Sequence, residues 1–481
     1  MKNKFLFGFL VSFILFNLSS AFAQYTSQNI NLLSHWDNSS VIAEPAFGIR
    51  YSSVWGWVDP KNKKEYAIIG GSDGTYFIDV TDRTSPTLKD FVPGRRDSCI
   101  WREYKTYKNF LYAVSDDAVD IHNQNSMQII DMSYLPDSVH VVYDQDTLSP
   151  RTHSLFIDEI NAKLYLNSTY LQNHGGHSNM AILSLANPKA PTLIRKLEDD
   201  FPASDNVHDC YVRNDTIYAS SSYGGMFIYK FTGTKFILLA SLTKYLEQGY
   251  NHSSALTANG KTLIFTDEVP ARQSVKALDV SDFGNLSVLN YFKPTAGDTA
   301  TPHNPFIRNG DNSRVVIAYY QDGVQIFDIS NPSKVTRTGY FDTNPTDCPY
   351  YPNSNYTGCW GVYVDLPSGI ILASDMQSGL FVLDAAASGM GIPYISSVFT
   401  ASIFPNPATE NTQLELTLST SEIINYQVTD LTGKLIMNNE VFVSNGKSLI
   451  TIDTKNIQSG SYLLTLKNKN IQSTLKFIKI N

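Results

Sequence analysis

The chain has 481 residues, with 37 Lys and Arg against 45 Asp and Glu and a formal net charge of −8. That is more chain than a single core needs. The cations form no run or stripe, which argues against a nucleic-acid partner, because phosphate binding needs clustered Lys and Arg. Aromatic residues are plentiful (28 Tyr, 26 Phe) and charged residues make up 17 %, a composition that suits β structure with many turns.

Met1–Ala23 reads as a secretory signal peptide (residues 1–23). Lys2 and Lys4 precede the apolar run Phe5–Leu18, and Ala21-Phe22-Ala23 offers a small-x-small cleavage site. No later stretch reaches 18 apolar residues, so no transmembrane segment is expected. With no Cys directly after the cleavage site, a bacterial lipid anchor has no support.

From there a phrase recurs. Tyr76–Asp79, Met127–Asp131, Val275–Asp279, Val324–Asp328 and Leu380–Asp384 are short apolar strands that run into an aspartate, and Met180–Leu183 and Met226–Tyr229 hold the same place without one. The copies lie about 45 to 57 residues apart, the period of a propeller or a similar repeat architecture. Each unit reads as four strands joined by hairpin turns, best seen in His303–Arg308, Arg314–Tyr319, Val324–Ile329 and Val335–Phe341. The fold class predicted is therefore all-β. Residues 24–392 form a seven-bladed β-propeller with blades near 52–92, 98–144, 151–197, 206–243, 250–293, 301–342 and 358–385. The last unit lacks a fourth strand, and the orphan strand Asn29–Trp36 is expected to complete it, closing the ring so that no terminal edge stays unpaired. The aspartates at the strand ends read as turn formers that hydrogen-bond the backbone ahead of them, not as catalysts.

The pattern changes near Ser396. After a linker over 393–401, residues 402–481 read as a small β-sandwich. Their Phe404-Pro405-Asn406-Pro407 opening, the Asp430-Leu431-Thr432-Gly433-Lys434 turn, Ser459-Gly460-Ser461-Tyr462 and the closing Lys476–Ile480 resemble the C-terminal sorting domain of type IX secretion in Bacteroidota. That resemblance implies the type IX secretion machinery as a partner, removal of the segment, and a mature protein that reaches the outer-membrane surface or the medium by way of the periplasm. The repeated part, with Val324–Ser330 and Cys359-Trp360-Gly361-Val362, resembles the LVIVD-repeat proteins called choice-of-anchor B. The family implies a secreted or surface propeller and supplies no catalytic residue.

Chemistry concentrates at one repeat position. His153, His208, His252 and His303 each sit just before or at the first strand of units three to six, and Trp55, Trp101 and Trp360 are assigned the corresponding place in units one, two and seven. A symmetric fold gathers such residues around one mouth of its axis. His174-Gly175-Gly176-His177 lies in a loop expected on the same face, as do Asp209, Glu268, Asp73, Asp116, Asp322 and Asp375.

Converging imidazoles with a carboxylate suit a transition metal such as Zn, Cu, Mn or Fe. The first candidate ligands are the four histidines, with His174, His177, Asp209 and Glu268 secondary. In the structural alternative, each imidazole only hydrogen-bonds the neighbouring unit. The tryptophans could stack on a planar or sugar ligand, or simply plug the opening. Cys348 and Cys359 bracket a short loop and are expected to form a disulfide, while Cys99 and Cys210 are expected to stay free and buried. Arg102-Glu103 reads as a solvated ion pair. No Walker or post-strand GxGxxG motif occurs. Two functions follow: an exported binding module for an unknown extracellular ligand or protein at the His/Trp mouth, or a metal-dependent extracellular lyase, hydrolase or oxidase using the same histidines.

Overall fold

The structure, a computed structural model, describes residues 25–116, 127–295, 300–344, 356–390, 400–418, 422–431, 434–444, 446–467 and 472–480. The signal segment, most of the linker and Cys348 lie outside the described residues. Among those described, the regular elements are strands, apart from two three-residue helical turns.

The repeats fold into successive four-stranded antiparallel sheets. The first runs Tyr51–Val58, Glu65–Gly71, Gly74–Asp79 and Thr87–Pro93, in sequence order from one edge to the other. Its second and third strands are buried at every residue and its fourth is mostly exposed. That is why the recurring phrase is apolar without alternation: both faces of the strand are covered by neighbouring sheets. The first strands contact one another in cyclic order, Tyr51–Val58 with Arg102–Tyr107, then Arg151–Asp158, Asp209–Arg213, Asn251–Leu256, Pro305–Phe306, Cys359–Tyr363 and back to Tyr51–Val58. The first strand expected over His303–Arg308 is reduced to Pro305–Phe306, although the His303 N–H still donates to the Ala318 carbonyl at 3.0 Å.

The amino-terminal stretch forms two strands, with Asn29 between them at a left-handed φ of 59°. Ser27–Gln28 pairs with Thr336–Phe341, and Asn31–Trp36 pairs with Gly379–Asp384. Ile30, buried between these two sheets, joins a core that includes Val316, Ile326, Val362 and Leu383. Gly379 begins its strand at φ 93°, where a Cβ would stand 2.6 Å from the Trp36 carbonyl, so only glycine fits both the angle and the approach.

The repeated aspartates cap the turns that follow them. Oδ1 of Asp79, Asp131, Asp279, Asp328 and Asp384 accepts a backbone N–H two residues on, at 2.9–3.0 Å. The carboxy-terminal segment holds one sheet of Thr400–Phe404, Asn411–Leu418 and Gly446–Asp453 and another of Leu435–Val443, Glu422–Asp430, Gly460–Lys467 and Gln472–Lys479. The two share a core of their own, around Leu414, Val428, Ile452, Leu464 and Phe477.

Candidate functional site

The ring of first strands encloses a cavity of about 990 Å³. What points into it is set by irregularities in those strands. The ladder between Asn251–Leu256 and its neighbour slips at His252, and the one in Cys359–Tyr363 slips at Trp360. A bulge leaves one residue unpaired and re-aims its side chain, and both of these residues line the cavity.

His153, His208, His252 and His303 form a continuous row of tilted rings. Consecutive ring centroids lie 4.0, 4.2 and 4.2 Å apart, and His303 continues the row onto Trp360 at 5.0 Å and Tyr320 at 4.6 Å. His208 Nδ1 donates to the His252 carbonyl at 3.0 Å, and His303 Nδ1 donates to the Trp360 carbonyl at 2.6 Å. These bonds fix the proton on Nδ1 and leave Nε2 as a lone-pair donor. His153 Nδ1 instead pairs with Asp116 Oδ2 at 2.6 Å. His252 breaks the series: its Nδ1 is buried with no hydrogen bond formed, while its Nε2 stands 3.8 Å from Glu268 Oε2. Glu268 Oε1 accepts the Tyr320 hydroxyl at 2.8 Å. One ligand atom from each of His208, His252 and Glu268 can be chosen so that all three lie within 4.8 Å of one another.

The electrostatics divide the row. Burial by itself would lower the His153 pKa, but the charge and hydrogen bond of Asp116 outweigh it and raise it to about 9. Burial, reinforced by the neighbouring imidazoles, drives His208 and His252 well below the ordinary histidine value, and burial lowers His303 to about 3. At neutral pH one imidazolium therefore stands beside three neutral imidazoles. Burial raises the carboxyls of Glu268 and Asp209, the latter to about 6.

Of the secondary candidates, Asp209 lines the cavity and accepts the Ser154 hydroxyl at 3.2 Å. His177 lines the rim, whereas His174 lies outside, its carbonyl holding Lys196 Nζ at 3.0 Å. Asp73 and Asp375 face other partners, the Tyr76 hydroxyl and the Thr343 hydroxyl, each at 2.7 Å. Trp101 and Trp360 share an apolar cluster with Ile49, Tyr320 and Met376. Trp55 is not at their level. It pairs with Ile68, past the slip of its strand at Ser52 and Ser53, and lies farther along the cavity beside Phe306 and Tyr363, with Lys105 Nζ 4.1 Å from its ring centroid.

Arg102-Glu103 is not a solvated pair. Arg102 is 4 % exposed and donates to the Gly71 carbonyl, whereas Glu103 lines the cavity and accepts Ser53 Oγ and Trp360 Nε1. Strand alternation sends the two side chains to opposite faces. Tyr250 and Tyr320, which no motif marks, also line the cavity. Cys99, Cys210 and Cys359 are buried and form no disulfide with one another, and the partner expected for Cys359 lies outside the described residues.

No curated protein matches the chain. Similar solved structures include PorZ, a surface component of the type-IX secretion system of Porphyromonas gingivalis (10 % identity, 88 % of this chain and 58 % of that one, TM-score 0.42). Others are a periplasmic gluconolactonase of Pseudomonas aeruginosa (11 %, 84 % and 99 %, 0.47) and the β-propeller domain of a Myceliophthora thermophila protein named Swd1 (9 %, 70 % and 97 %, 0.47). At such scores none of them lends this chain a ligand or a reaction. Among the described residues no helix is long and apolar enough to cross a membrane. Residues 402–481 match the family described as secretion system C-terminal sorting domain, and the protein is therefore one exported through the periplasm to the cell surface or beyond, addressed to the type IX machinery by that segment.

Proposed function

We propose that residues 24–392 are a seven-bladed β-propeller of the choice-of-anchor B kind, sealed by Asn31–Trp36 and delivered by an amino-terminal signal peptide and the type IX route. At its destination it acts as a binding module, and an extracellular ligand enters the cavity at the histidine row. The observation that carries this reading is the 990 Å³ cavity, which combines aromatic walls (Tyr250, Tyr320, Trp360) with the four imidazoles of the row and with carboxylates that include Glu103, Asp116, Asp209 and Glu268. Concave sites of roughly this size with a few convergent polar groups hold small ligands or the end of a polymer. A metal-dependent lyase, hydrolase or oxidase in the same cavity is the competing reading, and it requires an ion at the histidines.

The test is an array of extracellular glycans and peptides probed with the exported protein and with Asn206→Trp, which sets an indole at the exposed rim. Capture by the parent and not by the variant supports the reading. Capture that the variant keeps places the ligand elsewhere.

A further inference from the structure

We propose that His208, His252 and Glu268 hold one divalent transition-metal ion of the zinc type, with a coordination position open to the cavity. This rests on the cavity being the binding site and names what its ligand meets there. The donor atoms follow from what each side chain has already committed. His208 gives Nδ1–H to the His252 carbonyl and keeps Nε2. Glu268 gives Oε1 to the Tyr320 hydroxyl and keeps Oε2, which faces His252 Nε2 at 3.8 Å.

Three atoms no more than 4.8 Å apart have a common point within about 2.8 Å of each. Zinc–nitrogen and zinc–carboxylate bonds are ~2.0–2.2 Å, so side-chain shifts of under ~1 Å close the site. Two imidazoles and a carboxylate with a free fourth position is the donor set of an open zinc site, and neutral imidazoles are the ligating form.

A second observation points to the same place. Buried polar groups are ordinarily satisfied, and the His208 and His303 Nδ1 atoms are, through the carbonyl of the residue next in the row. His252 Nδ1 is buried without a well-formed hydrogen bond, and the His303 carbonyl in the equivalent position already accepts Ser253 Oγ and Thr266 Oγ1. His252 is thus the one ring of the three whose Nδ1 is not committed to the neighbouring backbone by a well-formed bond, at the place where the donor atoms converge. Tyr320 is the supporting partner that orients Glu268.

The exported protein, freed of metal by chelator and dialysis, is titrated with Co²⁺ followed by its visible d–d absorption, and with Zn²⁺ by calorimetry. We expect one equivalent per chain, weakened by more than ~100-fold in His252→Ala and in Glu268→Gln and by ~10–100-fold in Tyr320→Phe. His174→Ala should be unchanged. Glu268→Gln retains an acceptor for Tyr320, and its melting curve checks that the loss is not unfolding. Absence of stoichiometric binding, or binding indifferent to Glu268→Gln, overturns the site. Array capture that persists without metal leaves the binding module standing while the ion falls; stoichiometric Co²⁺ with no captured ligand does the reverse.

Discussion

If the amino-terminal segment closes the ring, the one fully buried residue of 25–36 should carry a measurable share of the stability. Ile30 is 1 % exposed and sits between the sheet that takes Ser27–Gln28 and the sheet that takes Asn31–Trp36. Ile30→Ala deletes three carbons, worth about 2.4 kcal/mol in transfer at ~0.8 per methylene, and leaves a cavity in a core shared by two sheets. A loss of ~3 kcal/mol follows, on the order of 5 °C in melting temperature for a domain of this size. Leu32→Ala, two residues further on but 37 % exposed, should cost under ~1 kcal/mol. Thermal melts of the two variants and the parent, followed by tryptophan fluorescence, decide the matter. An Ile30→Ala melt within 1 °C of the parent would refute closure by this segment, because an anchor that can be hollowed without cost is holding nothing.

Lys276 and Asp267 form a fully buried ion pair at 2.7 Å, so Lys276→Met alone should cost ~3–5 kcal/mol, and adding Asp267→Asn should recover much of it, as read by urea denaturation. Burial pushes the Asp365 carboxyl up to about 6. A raised acid stabilises the fold only while protonated, fully below its unfolded value near ~4 and not at all once the pH has risen through 6. Stability lost between pH 5 and 7.5 should therefore shrink by ~1 kcal/mol in Asp365→Asn. Deleting residues 402–481 should leave the protein in the periplasm, seen by fractionation; a truncated chain still found at the surface or in the medium would show that the matched segment is not its export address.

The repeat was legible because it is local. An apolar strand ending in Asp is a statement about neighbours two residues away, and Asp79, Asp279, Asp328 and Asp384 make the turn bonds that the pattern implies. The imidazole row was legible for a related reason, since a repeat superposes equivalent positions in space. What a sequence does not display is an inserted residue in a ladder. Tyr51–Val58 slips at Ser52 and Ser53 and Cys359–Tyr363 slips at Trp360, and without those landmarks Trp55 could not be told from the residue that stands level with Trp360. Glu103 was obscured by the charge beside it, because adjacency in sequence suggested a pair where the pleat separates the two. Tyr320 reaches Glu268 across 52 residues, a distance no motif spans.

The two readings of the histidine position, structural stitch or ligand, are not exclusive, because an imidazole has two nitrogens. In His208 and His303 the Nδ1 edge ties one sheet to the backbone of the next, through the His252 and Trp360 carbonyls, while the His303 carbonyl is held instead by Ser253 Oγ and Thr266 Oγ1. That stitch locks ring orientation and tautomer, which leaves Nε2 unprotonated. Structural use of one edge is thus what prepares the other for a ligand. A histidine needed only for stitching could be replaced by asparagine, whose amide also donates to a carbonyl, and the repeat already makes that substitution nearby, with Asn304 Nδ2 donating to the Trp360 carbonyl at 3.3 Å. Asparagine would satisfy the backbone without offering an imidazole lone pair. His208→Asn should accordingly keep the melting temperature within a few degrees while abolishing Co²⁺ binding, and a variant that loses stability but still binds the ion would mean that the Nδ1 bond alone explains why histidine stands there.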